Sequence, residues 1–275
     1  MDVSVVIPSY NSGITIRKCL DSIFSQKTRL KYEVIVVDSS TDNSPEILRE
    51  YRVKMIRKAG QVFPGIARNI GIRAAKAPII ACIDADCIAS PDWLDNLYKA
   101  HNKHSVVGGR ILNGNPWNYF GWGLYFAEFS QYFSVAGKPI GQIPACNASY
   151  KKSVFDKIEF PGTQSAEDIL LSRQLKNIWY DGTVVVKHIN RPGLYSNLQR
   201  AIILGKGDAI LKKDTVFEKF IFLFPALLLW RFAKIAGRSF LSPYWLAFIL
   251  ASPFVFLVLV AWYLGFVKEA RNINI

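Results

Sequence analysis

Short apolar runs alternate with helical patterns through the first third of the chain. Residues 3–8 form an apolar run that closes on the turn Ser9-Tyr10-Asn11-Ser12-Gly13. Residues 14–26 then place Ile16, Cys19, Leu20 and Ile23 at the spacing of one helix face. The alternation repeats. Runs at 32–37, 53–57 and 79–83 predict buried strands, and 44–51 and 64–76 predict the helices between them. Ser44-Pro45 and Pro64-Gly65 open those helices, proline being suited to a first helical turn. Strands alternating with helices predict a parallel, doubly wound α/β sheet. A helix at 91–103 carries His101 and His104, read as a solvated pair at an exposed helix end. Further strands are predicted at 106–112, 143–150 and 183–187, with a helix from Glu167 to about residue 178.

The pattern changes beyond these strands. Trp117, Tyr119, Phe120, Trp122, Tyr125 and Phe126 open an aromatic segment that runs to Phe133. Such rings suit a membrane interface or a sugar face, and equally an ordinary core. Residues 194–213 read as an amphipathic helix on a membrane surface. Residues 240–267 hold no charged side chain over 28 positions, enough to span a bilayer core with tilt. Ser242-Pro243 reads as its cap, and Pro253 as a kink that membranes tolerate when a neighbour satisfies the freed carbonyl. An earlier apolar run at 220–230, extended to Ala236, takes in Arg231 and Lys234, which reach an interface by snorkelling. The expectation is a two-helix transmembrane hairpin that turns at 237–242. Lys206, Lys212, Lys213 and Lys219 precede it, and Lys268 and Arg271 follow, so the positive-inside rule puts both ends in the cytoplasm. The expected organisation is an α/β domain at 1–195, juxtamembrane helices at 196–215 and the hairpin at 216–275.

Charge narrows the ligand class. Lys and Arg number 34 against 21 Asp and Glu, a net charge of +13 over 275 residues. Such a balance suits nucleic acid, anionic lipid or phosphate-bearing small molecules. No zinc-finger spacing or arginine-rich arm supports nucleic acid, so the other two are favoured. The cysteines Cys19, Cys82, Cys87 and Cys146 lack CxxC spacing and read as buried free thiols of a reducing, cytoplasmic domain. Met1-Asp2 runs directly into a strand, and no signal peptide is expected.

The candidate chemistry gathers where the run at 79–83 ends in Asp84-Ala85-Asp86. Residues i and i+2 of a strand point to one side, so both carboxylates face one site. Like charges that close call for a cation, a donor or water. A hard divalent ion with oxygen ligands, Mg²⁺ carrying phosphates being the common case, is the economical reading.

Seven pieces in order resemble a known family. They are Val3-Ser4-Val5-Val6-Ile7-Pro8-Ser9-Tyr10-Asn11, Val36-Val37-Asp38-Ser39-Ser40-Thr41-Asp42, Ala67-Arg68-Asn69-Ile70-Gly71, Asp84-Ala85-Asp86, the segment 147–152, Glu167-Asp168 with Arg173, and His188. Across roughly residues 1–205 the chain resembles family 2 glycosyltransferases of the GT-A fold. It is similar to the membrane-bound mannosyl- and glucosyltransferases that act on polyprenyl or dolichyl lipids. The resemblance implies an α/β GT-A domain followed by the transmembrane hairpin. It implies an inverting enzyme that moves a sugar, with a lean to mannose from GDP-mannose over a UDP-sugar, to a lipid-linked acceptor at the cytoplasmic face. Mn²⁺ or Mg²⁺ is the implied cofactor. Pro8, Tyr10, Asn11 and Asp38 would then lie at the nucleotide base, Arg68 at the ribose or diphosphate, and Asp84 at the ribose. Asp86 would ligate the metal, joined by His188. Asp168 would be the base that takes the acceptor's proton, and Glu167 its neighbour on the acceptor side. Asn147, Arg191 and Arg200 are further candidates for acceptor or phosphate contact. The segment Ile158-Glu159-Phe160-Pro161-Gly162 departs from the family's Gly-Gly-Phe. No Gln-x-x-Arg-Trp element of processive synthases is present. Two other readings use the same residues. One is a haloacid-dehalogenase-like phosphatase with Asp84 as nucleophile, which normally wants Thr or Ser soon after where Cys87 stands. The other is a non-catalytic membrane protein that binds nucleotide sugar.

Overall fold

The computed structural model describes residues 1–133, 137–211 and 224–272. The chain divides into two compact units. The first comprises 1–114, 136–163 and 167–189, and the second 115–135, 164–166 and 190–275.

In the first unit, strands β1 (Val3–Ser9), β2 (Tyr32–Asp38), β3 (Lys54–Arg57) and β4 (Ile79–Ile83) pair in parallel, in the order β3-β2-β1-β4. Helices α1 (Ile16–Phe24), α2 (Ser44–Leu48) and α3 (Pro64–Ala74) connect them. All five residues of β4 are buried, as a strand covered on both faces requires. Helix α1 buries Ile16, Cys19, Leu20 and Ile23, the face that the spacing predicts.

Beyond β4 the parallel arrangement gives way to a mixed one. Strand β8 (Asn147–Lys151) lies antiparallel to β4, and β6 (Val106–Asn113) antiparallel to β8. Strand β9 (Ile178–His188) runs parallel to β6, and the three-residue strands β5 (Cys87–Ala89) and β7 (Lys138–Ile140) pair with it antiparallel. The expected largely parallel sheet is therefore a mixed sheet of nine strands among the described residues. The chain leaves this unit after Gly114 and re-enters it before β8. No helical crossover within the unit thus dictates the direction of β8. The helix expected from Glu167 to residue 178 is also shorter. It is α6 (Glu167–Ser172), because Asn177 takes a left-handed φ of 56° and Ile178-Trp179-Tyr180 favour a strand. The strand expected from residue 143 begins only at Asn147.

His101, just after α4 (Trp93–Ala100), is buried and not solvated. Its ring shares hydrogen bonds with Ser149 Oγ (2.9 Å) and the His104 carbonyl (3.0 Å), and burial pushes it down to about 4. His104 stacks on Trp179 with ring centroids 4.4 Å apart. The four cysteines are free and buried, as their spacing implies.

The second unit is helical. The aromatic segment forms α5 (Tyr119–Phe129), which buries Trp122, Leu124, Tyr125, Phe126 and Phe129. Helices α7 (Leu194–Leu211), α8 (Phe224–Phe240) and α9 (Trp245–Asn272) complete it. The Phe254 ring of α9 meets Tyr119 and Phe120 edge-on at 4.9 and 5.0 Å. Helices α7 and α9 cross with backbones in contact. A Cβ at Gly205 would lie 1.8 Å from the Trp262 carbonyl oxygen, and one at Gly265 2.0 Å from that of Ile202. Only glycine admits that crossing at both positions.

Helix α8 runs to Phe240, so Gly237 is helical and the turn falls at 241–244, later than expected. Ser242 Oγ accepts the Tyr244 N–H there at 3.1 Å. Phe240 packs on Phe248 and Phe232 on Phe256, so α8 and α9 run antiparallel. Helix α9 continues through Pro253. Proline offers no N–H to the Ile249 carbonyl four residues back, and the Ser252 hydroxyl donates to it instead at 2.9 Å. Arg231 does not snorkel. It lies 2.9 Å from Asp208 Oδ2 of α7 and stacks 3.9 Å above the Trp262 ring, whose Nε1–H donates to the same oxygen. Lys212, Lys213 and Lys219, and the start of the first predicted span, fall outside the described residues. Among the described residues one helix, α9, is long and apolar enough to cross a membrane, an 18-residue stretch of it having a mean hydropathy of 2.3.

Candidate active site

The ends of β1 and β2 are stitched together by side chains. The parallel register sets Ser9 beside Asp38. Asp38 is fully buried, accepts the hydroxyls of Ser9 (2.7 Å) and Ser40 (2.6 Å), and is ion-paired with Arg57. Asn11 adopts φ 51°, which asparagine tolerates, and its Oδ1 accepts the backbone N–H of Thr41 at 2.8 Å. Its own N–H donates to Ser40 Oγ. Pro8 is half-buried and Tyr10 is exposed. Both oxygens of Asp38 are thus engaged within the protein. A base N–H would share that carboxylate with Arg57, a partner absent from the sequence reading.

Arg68 departs most from expectation. It is fully buried on α3, so it does not reach out to a ribose or diphosphate. One terminal nitrogen donates to Asp84 Oδ1 at 2.5 Å and the other to Glu167 Oε1 at 2.7 Å. The guanidinium lies 5.5 Å above the Phe160 ring, and its Nε, also buried, has no hydrogen-bond partner. The two carboxylates hold Arg68 well above its usual range against the effect of burial. Asn69, the next residue, clamps the Phe160 backbone. It donates to the carbonyl (2.8 Å) and accepts the N–H (3.0 Å), as a neighbouring strand would. Arg68 therefore joins the end of β4 to the first turn of α6.

One member of the second acidic pair, Glu167, differs from the first pair in exposure, while Asp168 is half-buried like Asp84 and Asp86. Asp84 and Asp86 have side chains 32% and 38% exposed. Glu167 is buried. Asp168 accepts the N–H groups of Ala145 (3.2 Å) and Ile169 (2.8 Å). Burial, and then the Glu167 carboxylate, push Asp168 up to about 7, while Arg68 and the two N–H groups pull the other way. A carboxyl group poised there exchanges protons near neutral pH. Ala166, which leads into the pair, takes φ 65°, a region that costs a non-glycine residue about 1 kcal/mol or more.

At the opposite end of the Asp84-Ala85-Asp86 segment, Asp86 Oδ2 lies 3.6 Å from His188 Nε2. The Cys87 thiol lies 3.8 Å from Asp86 Oδ1, and the three donor atoms fall within 4.8 Å of one another. A carboxylate oxygen, an imidazole nitrogen and a sulfur form a donor set that fits a divalent metal.

Asn147 is not available to an acceptor or phosphate. It is buried, its Oδ1 accepts the Trp93 indole N–H (2.9 Å), and its amide donates to the carbonyls of Arg110 (2.9 Å) and Val184 (3.0 Å). Those carbonyls sit where the β6–β9 register shifts, so Asn147 satisfies a bulge. Arg191 and Arg200 belong to the second unit. There the Arg191 carbonyl accepts from Asn118 and Asn197, and Arg200 Nε lies 3.3 Å from Glu128. Arg57, Asn69, Cys87 and the Ala145 N–H are the contributors that the sequence reading missed. Cys87 left a signal in its place directly after Asp86, and Asn69 in its place within the Ala67–Gly71 piece.

The family model described as Glycosyl transferase family 2 matches residues 4–159. Glycosyltransferase AglE of Haloferax volcanii is 38% identical over 120 residues, 41% of this chain and 38% of that protein. The chain spans less than half the length of the curated relatives it matches. Among solved structures, the mannosyltransferase PcManGT of Pyrobaculum calidifontis, in complex with GDP-Man and Mn2+, superposes with a TM-score of 0.63 at 20% identity, over 97% of this chain and 87% of that one. S. aureus TarS 1-349 in complex with UDP-GlcNAc gives 0.56 at 17% identity, over 99% of this chain and 92% of that one.

Proposed function

The chain belongs to glycosyl transferase family 2, and on that footing we propose that it is a membrane-anchored, metal-dependent inverting glycosyltransferase. It transfers a hexose from a nucleotide diphosphate to a lipid-linked acceptor at the cytoplasmic face. The observation that carries the reading is the Arg68 bridge. One guanidinium holds Asp84 on one side and Glu167 on the other, so the two acidic pairs border one site.

Transfer with inversion needs a proton acceptor on the face opposite the leaving group. Asp168 is that base, and it takes the acceptor hydroxyl's proton as the oxygen attacks the anomeric carbon. Its neighbour Glu167, fixed by Arg68, keeps the α6 turn in place. Asp86 and His188 hold the ion, which when bound offsets negative charge on the leaving diphosphate. Asp84 faces the ribose with its free oxygen, and Pro8, Tyr10 and Asn11 border the base. Where the acceptor is already a phosphate anion, it needs no deprotonation and Asp168 contributes less.

Membrane anchorage is supported by α9. It buries Phe248, Ala251, Val255, Val258 and Trp262 on one side, yet exposes Trp245, Leu246, Ile249, Leu250, Leu257 and Leu264. A helix apolar all round needs an apolar medium for its outer face. The GT-A fold itself does not choose a donor, since solved neighbours carry GDP-Man or UDP-GlcNAc. The test is a thermal-shift panel of nucleotide sugars with Mn²⁺, followed by transfer to polyprenyl phosphate and to lipid-linked glycan. GDP-mannose is expected to raise the melting temperature and to be consumed only when a lipid acceptor is present. Phosphate release from generic phosphomonoesters, without donor binding, overturns the reading.

A further inference from the structure

We infer that Cys87 is the third protein ligand of the metal site, which makes it an oxygen–nitrogen–sulfur site suited to a borderline ion such as Zn²⁺ or Co²⁺ rather than to Mg²⁺. The inference rests on the proposed metal role of Asp86 and His188 and concerns what completes it.

The placement comes from strand pairing. Strand β5 runs antiparallel to β9 with Cys87 directly opposite His188. The pairing is extended by the Ile189 N–H, which donates to the Asp86 carbonyl at 2.8 Å. Asp86 and Cys87 are therefore held against His188 and Ile189 at the end of the neighbouring strand. His188 Nε2 stands 3.6 Å from Asp86 Oδ2 and Cys87 Sγ 3.8 Å from Asp86 Oδ1, and with one oxygen of Asp86 taken as ligand the three donor atoms lie within 4.8 Å of one another. Zinc bonds of about 2.0–2.3 Å in tetrahedral geometry separate oxygen, nitrogen and sulfur ligands by roughly 3.3–3.5 Å. Closing the cluster takes a few tenths of an ångström for the two Asp86 pairs and up to about 1.3 Å for the widest pair.

The chemistry of the set selects the ion. Mg²⁺ wants near-octahedral oxygen and keeps several waters. Thiolate and imidazole favour Zn²⁺ and its neighbours in the first transition row. Cys87 is buried, whereas Asp86 is 38% exposed, so the cluster is closed on the sulfur side and open on the carboxylate side. An ion held there has three protein ligands and room for outside oxygens, the arrangement of reactive rather than structural zinc sites. On binding, the sulfur–hydrogen bond is exchanged for a sulfur–metal bond, and the proton goes to solvent.

The experiment is a Co²⁺ titration of the full chain in detergent, followed by calorimetry and absorption together. Binding is expected with a sulfur-to-cobalt charge-transfer band in the near ultraviolet. Cys87→Ser should abolish the band and weaken Co²⁺ and Zn²⁺ by about tenfold or more, while Cys146→Ser keeps the band. Co²⁺ bound without the band, or a band that survives Cys87→Ser, overturns the inference and leaves the Asp86–His188 site standing. No Co²⁺, Zn²⁺ or Mn²⁺ binding at all overturns that site as well. Should Cys87→Ser not fold, X-ray absorption on the zinc-loaded wild-type chain decides. One sulfur at about 2.3 Å supports the inference, and a shell of oxygen and nitrogen alone overturns it.

Discussion

The two acidic pairs of the first unit are chemically alike and physically different. Asp84 and Asp86 follow a buried strand, keep about a third of their side-chain surface in solvent, and have separate partners in Arg68 and His188. Glu167 and Asp168 open a helix, and only Glu167 pairs with Arg68. Asp168 is half-buried and keeps two backbone N–H groups, and its pKa rises to about 7. On the proposed mechanism, the burial of Glu167 and the allotment of one arginine separate a pair that holds charge from a pair that moves a proton.

The largest effect expected from breaking this contrast is at Asp168. Asp168→Asn keeps the shape and one of the two hydrogen bonds, since Ala145 and Ile169 donate to different oxygens, and it removes the proposed base. Transfer to a hydroxyl acceptor should fall by about 10²–10⁴, the usual worth of general base catalysis. Donor binding, measured calorimetrically with Mn²⁺, should stay within a factor of about two, since the proposed base would touch the acceptor and not the donor. Unchanged turnover would remove Asp168 from the mechanism.

Arg68→Met tests the link between the pairs. It leaves Glu167 as a buried carboxylate without its cation, a loss that costs about 3–5 kcal/mol in comparable sites. Chemical denaturation should show that loss, and Arg68→Met with Glu167→Gln should recover most of it. Asp84→Asn should cost less, because Asp84 is partly solvated. Equal losses at Asp84 and Glu167 would show that the pairs do not differ in the way argued.

The parallel half of the sheet was legible because its signals are local. Apolar runs, 3.6-residue spacing and proline at helix starts all act within about ten residues. The DxD segment at the end of β4 was legible for the same reason. What was missed depends on residues far apart in sequence. Nothing near Arg68 says that its partners are Asp84 and, 99 residues away, Glu167. The Asn147 amide looks like a site residue in one dimension, yet two β-bulge carbonyls take its nitrogen and the Trp93 indole its oxygen. The brevity of α6 depends on Asn177 taking a left-handed φ, which tertiary pairing of β9 decides. In the second unit, Arg231 looked like a snorkelling residue because Asp208 and Trp262 lie on other helices.

Asn147→Ala should separate fold from site. It strands the Trp93 indole N–H and two bulge carbonyls, so a loss of about 1–3 kcal/mol is expected. The Michaelis constants for donor and acceptor should not change. A raised acceptor constant at unchanged stability would return Asn147 to the acceptor site.

The smallest effect expected is the most specific, and it concerns pH. Asp168 acts as a base only when deprotonated, so transfer should rise with pH through a midpoint near 7 and fall away below it. Burial is the largest cause of that position, and the Glu167 charge is the second. Glu167→Gln removes a like charge and keeps the side-chain volume, so the acid limb of the rate profile should move to lower pH. Arg68 keeps its contact with Asp84 in that variant, and its cation still favours the ionised form of Asp168. Arg68→Met should move the limb in the opposite direction, because that cation is what lowers Asp168. Opposite movements in the two variants distinguish an electrostatic role for the Arg68 bridge from a purely structural one, since a loosened α6 would reduce the rate at every pH without moving the midpoint. The profile must be taken with a hydroxyl acceptor. With a phosphate acceptor, whose attacking oxygen carries its own charge, the limb should flatten in the wild-type chain as well.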